Sequence, residues 1–327
     1  MPKGQTRGFG ACYLPKSRFL VRLKSSMHTP EKKFIDSDRL SIEYLEWNPG
    51  AARSVVLVHG WPDAARTWSP VAQLLANAGY RVLAPSLRGY GGTRFRDAST
   101  PRSGELVALG RDLIDFVEAL GLQSPMLVGH DWGARAVANA AGLEPGLASH
   151  LAMLSVGYGT NDPTQALPFE QARSYWYHWF MATPLGEKTV RADPSGFARI
   201  MWDTWSPPGW FDQAEFDATA AAFDNPDWID ITLHSYRHRW GHAEGDPFYA
   251  ADIAKLNPLP VLSTSMLVIH GAADAVNPVA TSEGKEAFFS GRYQRVVLDG
   301  VGHFPQREAP TQVAEALIDF FGKTSSK

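Results

Sequence analysis

This chain has little cysteine, little net charge and no long apolar run, and each shortage removes a class of protein. Cys12 is the one cysteine in 327 residues, which excludes an intramolecular disulfide and any metal site built from cysteines. A formal charge of −3 leaves no large basic surface to hold nucleic acid or an anionic membrane. No stretch of about 18 uninterrupted apolar residues is present, so no membrane-spanning helix is expected. Internal repeats and low-complexity linkers are absent as well. The cytosol is the default compartment, and the hydrophobic fraction of 44% is ordinary for a globular protein. Such a length is long for one compact core but suits a catalytic α/β unit carrying an insertion.

A local absence marks the start. Residues 1–27 contain Lys3, Arg7, Lys16, Arg18, Arg22 and Lys24 but no acidic residue. They lack the apolar run of a signal peptide, although an acid-free, arginine-containing start has some transit-peptide character. The alternatives are a disordered basic tail, or an upstream start codon with Met27 as the working one. Residues 1–32 are expected to form a disordered basic extension, with order beginning near Phe34.

What is present is alternation. Residues 42–47 read as a first strand. The apolar run 54–58, ending at His59-Gly60, suits a buried parallel strand. An amphipathic stretch over 68–78 closes at Gly79, a reasonable helix stop. Another strand covers 81–84, and a helix over 105–120 ends at Gly121. Residues 125–128 lead into Gly129-His130-Asp131-Trp132-Gly133; a helix and a strand at 151–155 follow. Strands alternating with helices imply an α/β fold with a mostly parallel central sheet flanked by helices. The alternation stops after Gly157, and seven of the eleven tryptophans fall between residues 157 and 256. It resumes with strands at 265–269 and 295–298 and a helix over 311–321. An α/β core of residues 33–156 and 257–323, with a helical cap of residues 157–256, is therefore expected.

The strongest chemical signal is Gly129-His130-Asp131-Trp132-Gly133 between an apolar strand and a helix. In a Gly-x-nucleophile-x-Gly turn, small residues let strand and helix pack closely while the central side chain is held out. The central residue here is Asp131. A carboxylate needs no base for a first attack and suits displacement at saturated carbon, giving an alkyl ester. The alternative reading is a helix N-cap aspartate. After the last strand, His303 carries an imidazole whose ordinary pKa, close to neutrality, lets it activate water. Asp274, after the strand at 265–269, can accept the other ring N–H of His303 and fix its tautomer.

Residues 33–323 resemble the epoxide hydrolases of the α/β-hydrolase fold, through His59-Gly60-Trp61-Pro62, Arg88-Gly89-Tyr90-Gly91, Gly129-His130-Asp131-Trp132-Gly133, Asp274 and His303. Haloalkane and fluoroacetate dehalogenases share that set. The resemblance implies an oxyanion hole made of the backbone N–H groups of Trp61 and Trp132, with His59 and His130 in structural roles. It also implies two cap tyrosines that donate to the epoxide oxygen. Tyr177, in an eight-residue segment ending at Pro184, looks like the first, with Tyr175 as the alternative register; Tyr236, followed by Arg237, looks like the second. A phenol is a neutral donor at pH 7, suited to an incipient alkoxide. Trp61, Trp132, His178 and Trp179 are the expected pocket walls.

Departures from the related families discriminate between substrates. Trp61 stands where haloalkane dehalogenases tend to have an asparagine halide ligand. Of the two arginines with which fluoroacetate dehalogenases clamp a carboxylate, only Arg135 has a counterpart here. A helical spacing of His234, His238 and His242 offers a metal-binding face, but Tyr236 would project from the opposite side; with Tyr236 in the pocket, the histidines are expected to face solvent. No metal or cofactor is expected. The resulting expectation is hydrolysis of an epoxide to a vicinal diol through an ester on Asp131, opened by water that His303 activates. The tryptophan-rich cap suggests an apolar or aromatic substrate. A hydrolytic dehalogenase using the same aspartate is the alternative, followed by a non-catalytic ligand-binding protein on a hydrolase fold. Homo-oligomer formation stays open.

Overall fold

A computed structural model describes residues 27–322; residues 1–26, and with them most of the expected basic extension, lie outside the described residues. Nine strands form one sheet: β1 (Glu31–Asp36), β2 (Leu40–Trp47), β3 (Arg53–Val58), β4 (Tyr80–Pro85), β5 (Arg94–Phe95), β6 (Met126–His130), β7 (His150–Leu154), β8 (Ser265–Gly271) and β9 (Tyr293–Leu298). Their order is β1-β2-β4-β3-β6-β7-β8-β9, with β5 paired to β2. The first two strands and β5 pair antiparallel. From β4 onward every pairing is parallel.

Burial explains the strand sequences. In β3, Val55 and Leu57 point into one apolar layer while Val56 and Val58 point into the other. Both faces are covered, so the strand reads as a continuous apolar run. Helices α1 (Ser69–Asn77) and, at the chain's end, α12 (Pro310–Gly322) fill one layer. Helices α2 (Leu106–Ala119) and α3 (Trp132–Leu143) fill the other.

That second layer continues without a break into the aromatic side chains of residues 175–249. Among the described residues this stretch is helical: α4 (Phe169–Ser174), α5 (Trp176–Ala182), α6 (Pro184–Ala192), α7 (Pro194–Thr204), α8 (Gln213–Ala220), α9 (Trp228–Arg239) and α10 (Ala250–Lys255). Its helix starts are written locally. Thr183, Asp193 and Asp212 each accept a hydrogen bond from the backbone N–H three residues on, and the first two are followed by proline. The short α11 (Pro305–Glu308) precedes α12.

The fold departs from the sequence expectation in two places. The strand at 42–47 is the second, not the first: β1 lies outside it, and the expected start of the core at residue 33 falls inside β1. β1 is an edge strand with a mostly exposed Glu-Lys-Lys-Phe-Ile-Asp sequence, so it has no apolar run to reveal it. The helix expected over 68–78 is a 3-10 turn, Ala65–Trp68, followed by α1. No helix among the described residues is long and apolar enough to cross a membrane.

Candidate active site

Asp131 sits between β6 and α3 with φ of 50° and ψ of −111°, a left-handed conformation that costs a non-glycine residue about 1–3 kcal/mol. The turn is tight enough to exclude side chains on either side. A Cβ on Gly129 would come within 2.1 Å of the Gly133 carbonyl oxygen, and one on Gly133 within 2.2 Å of the Val58 oxygen. Strand, turn and helix are thus locked against β3, whose end delivers the loop bearing Trp61. The Trp61 N–H donates to Asp131 Oδ1 at 2.9 Å.

Two further strand ends supply the partners. His303 Nδ1 lies 2.8 Å from Asp274 Oδ2, and His303 Nε2 is 3.9 Å from Asp131 Oδ2. That Nε2 is buried and has no hydrogen-bond partner among the described residues. Asp274 Oδ1 accepts the backbone N–H groups of Val276 and Asn277 at 3.0 and 2.8 Å. Burial would raise the Asp274 pKa, but the rings of His303 and His270 pull it down to about 2. Burial likewise opposes a charge on His303, yet the Asp274 carboxylate outweighs it and lifts the imidazole above its ordinary value.

His59 and His130 are bracing groups. The Leu87 N–H donates to His59 Nε2 at 3.1 Å, so the ring proton is on Nδ1, which donates to the Gly60 carbonyl at 2.9 Å. His130 Nε2 lies 2.7 Å from the His303 carbonyl oxygen. Burial holds both rings near pKa 4, and neutral.

The cap brings a stack of rings over this centre. The Trp61 indole lies parallel to the Tyr177 ring at 5.4 Å and edge-on to Tyr236 at 5.1 Å. The two phenol rings meet at 5.3 Å. Burial raises both phenols well above the ordinary tyrosine value; the neighbouring Tyr236 adds to it for Tyr177, and the Asp131 charge for both. Trp132 packs against both Trp61 and Tyr236. His178 is buried between the rings of Tyr175 and Tyr236 at 4.4 and 4.5 Å. Tyr175, the alternative to Tyr177, turns its hydroxyl toward Asn161 and Asn277 instead.

Other expectations need correction. Trp179 was expected to wall the pocket; its indole instead donates to the Ala172 carbonyl and its ring lies on Trp240. It follows Tyr177 by two positions on α5, which turns it to the far face of the helix. The histidine face dissolves too. α9 ends at Arg239, so His242 lies beyond it. His234 and His238 do not face open solvent but are half-buried: His234 accepts the Gly104 N–H, and His238 lies 3.5 Å from Glu105.

Several site residues had escaped sequence reasoning. Trp205 stands edge-on to the His303 ring at 4.9 Å, and its carbonyl accepts the Ala275 N–H. Ser206 accepts the His303 N–H at 2.8 Å and donates to Glu308, whose carboxylate also collects the N–H groups of Gly302 and Phe304. Beside the Trp61 loop, Arg307 grips the buried Asp63 carboxylate through Nε and Nη2 and reaches Glu215 on α8. Trp61 Nε1 is tied to Thr232 on α9. Most of these pairings leave no local sequence signal, because they join segments about 70 or more positions apart; only the Glu308 contacts to Gly302 and Phe304 are local.

Comparison with known proteins agrees with this architecture. The model of the alpha/beta hydrolase fold family matches residues 53–310. Epoxide hydrolase A of Mycobacterium tuberculosis is 29% identical, over 90% of this chain and 98% of its own length. A fluoroacetate dehalogenase from Burkholderia sp. is 30% identical over 90% of this chain and 95% of its own. A crystal structure from Klebsiella pneumoniae, of a protein provisionally named an epoxide hydrolase, superposes with a TM-score of 0.85 at 36% identity, covering 90% of this chain and 98% of that one. The chain belongs to the alpha/beta hydrolase fold family.

Proposed function

We infer that this chain is an epoxide hydrolase working through an ester on Asp131. One observation carries the choice of chemistry: two buried phenols, Tyr177 and Tyr236, meet at 5.3 Å on the ring of the residue whose N–H holds Asp131. Neutral donors that burial keeps protonated suit an oxygen gaining negative charge as a three-membered ring opens. Relatives named epoxide hydrolases support the same reading.

Asp131 Oδ2 attacks one epoxide carbon, the carbon–oxygen bond breaks, and the phenols receive the alkoxide and supply its proton. In the hydroxyalkyl ester, Oδ1 stays on the Trp61 N–H as the carbonyl oxygen. His303 takes a proton from water, which attacks the ester carbon; the oxyanion develops against Trp61 N–H and Trp132 N–H. Collapse breaks the bond between the ester carbon and Oδ2; the leaving oxygen takes the proton of the new Asp131 carboxyl, the proton on His303 returns through solvent to the phenolate, and the vicinal diol leaves. Asp274 orients His303 and stabilises its charged form. Residues 33–156 and 257–323 act as the core that holds these charges, and residues 157–256 as the cap that holds the phenols. Trp61, Trp132 and His178 give the substrate an apolar, aromatic seat. The single cysteine and the lack of a long apolar run favour the cytosol.

The deciding experiment traps the ester. His303→Gln, mixed with excess styrene oxide, is expected to gain the mass of one epoxide on the peptide containing Asp131, and Asp131→Ala to gain nothing. An adduct on another residue overturns the choice of nucleophile. Halide release from a haloalkane or fluoroacetate, with no diol from any epoxide, replaces this activity with a dehalogenase.

A further inference from the structure

The chemistry inferred above moves a charge, and the cap has to receive it. Ester formation turns the Asp131 carboxylate into a neutral ester, and one phenol becomes a phenolate when its proton goes to the opened epoxide oxygen. A negative charge thus passes from the core to a buried set of rings, where an unanswered ion is costly. Three basic side chains stand at the end of α9, and two of them have acidic partners: Arg237 reaches Glu187 at 2.8 Å, and His238 lies 3.5 Å from Glu105. The third, Arg239, forms no salt bridge among the described residues. Its Nε and Nη2 are buried and have no hydrogen-bond partner there either.

Arg239 is turned onto Tyr236 instead. The two residues are three positions apart on α9 and so share a face of the helix. The guanidinium carbon lies over the phenol ring, 4.8 Å from its centroid. A cation over a neutral phenol gains a modest attraction; over a phenolate, whose charge spreads into the ring, the same contact becomes an ion pair. The contact is therefore stronger after proton transfer than before it, and only such a difference accelerates a step. The other titratable groups around this ring supply no such charge. Asp131 and Tyr90 act on it from the core, while Tyr177 and His178 touch it from α5, with burial holding His178 neutral. Burial, then the Asp131 charge, push the Tyr236 pKa up, and Arg239 pulls against both.

We propose that Arg239 is a positioning residue for ring opening: held over Tyr236, it stabilises the phenolate left when that tyrosine gives its proton to the epoxide oxygen, and so makes Tyr236 the acid of the pair. The O–H bond of Tyr236 breaks, its proton becomes the hydroxyl proton of the ester intermediate, and the phenolate keeps the electron pair until a proton returns through solvent from His303. Tyr177 serves as a hydrogen-bond donor to the same oxygen. The identity of the step rests on the epoxide hydrolase reading; the coupling between Arg239 and the Tyr236 hydroxyl does not.

Coupling and step have separate measurements. In the full chain, Tyr236 replaced by 3,5-difluorotyrosine gives a phenol acidic enough to titrate while the chain is folded, and fluorine NMR reads it. Its midpoint is expected to rise by about 1–3 pH units in Arg239→Gln and in Arg239→Met, the shift expected when an opposite charge at this range is removed, and to move less in Arg239→Lys. Melting curves establish that the variants are folded; Arg239→Met strands no polar atom and stands in should the glutamine variant fail to fold. An unchanged midpoint overturns the coupling. In single turnovers with excess enzyme over styrene oxide, Arg239→Gln should slow ester formation about 10-fold, and most of that loss should vanish when Tyr236 is already phenylalanine. A loss of equal size in the Tyr236→Phe chain would assign Arg239 to holding α9 together and overturn the proposal. Neither ester nor diol from the unaltered chain, with the midpoint shift intact, would sink the epoxide reading and leave the coupling standing.

Discussion

The core and the cap hold their functional groups by different physics. In the core, charged groups are fixed by backbone and by one another: Asp131 by the Trp61 N–H, Asp274 by two N–H groups, and His303 by Asp274. In the helical stretch above it, neutral phenols are fixed by ring packing, with Trp61 against both Tyr177 and Tyr236. Hydrogen bonds to a charge are directional and strong, so a core group is oriented to a fraction of an ångström. Ring packing is broader in angle, so the rings of residues 175–249 orient their donors less narrowly while keeping them dry.

This contrast sets an order of expected effects. Asp131→Ala should bring turnover to within background, a fall of about 10⁴-fold or more, with the fold retained; diol formation followed by chromatography checks it. Substantial residual activity would remove the nucleophile from the core altogether. Tyr177→Phe and Tyr236→Phe, which keep the rings and delete only the donors, should each cost about 10²-fold and together leave little activity. If the double variant kept most of its activity, the cap would contribute shape alone.

A pH profile sharpens the core side. The charge on Asp274 raises the His303 pKa, and His303 must be neutral to take a proton from water. The acid limb of ester hydrolysis should therefore lie above the ordinary histidine value. In Asp274→Asn it should move to lower pH, because burial then acts on the imidazole without its opposing carboxylate, while the rate on the plateau falls. A limb that stays in place would mean that another group controls the step.

Cap and core are joined by Arg307, and Arg307→Met should cost about 3 kcal/mol of stability by stranding the buried Asp63 charge. Denaturant titration reads this; Glu215→Gln, which cuts only the tie to α8, should cost well under that amount. The smallest effect is expected from starting the chain at Met27, which removes no described strand or helix. Its turnover and melting temperature should match those of the full chain.

The sequence made the chemistry legible where a glycine-flanked turn follows an apolar strand. Asp131, Asp274 and His303 each announce themselves in that way, because their conformations and close approaches are local demands. The parallel strands were equally plain, since burial on both faces writes an unbroken apolar run. β1 was not, because an edge strand is free to be polar. Ser206 and Arg307 were invisible for a different reason: a single serine or arginine acquires meaning only when the fold brings a distant N–H or carboxylate beside it. The histidines at 234, 238 and 242 erred the other way. Their spacing presumed a helix that ends three residues too soon.

The tightness of the turn around Asp131 has a bearing on how new selectivity is obtained from this protein. Gly129 and Gly133 meet backbone atoms at distances that admit no side chain at all. A randomised library spread evenly over the site would therefore waste its members at these two positions, every one of them returning an unfolded or displaced turn. Variation that survives has to enter through α5 and α9, whose contacts are made by side chains that can yield. Directed evolution of this enzyme is in effect a search over the rings around Tyr177, His178 and Tyr236, conducted around an Asp131 that stays where it is.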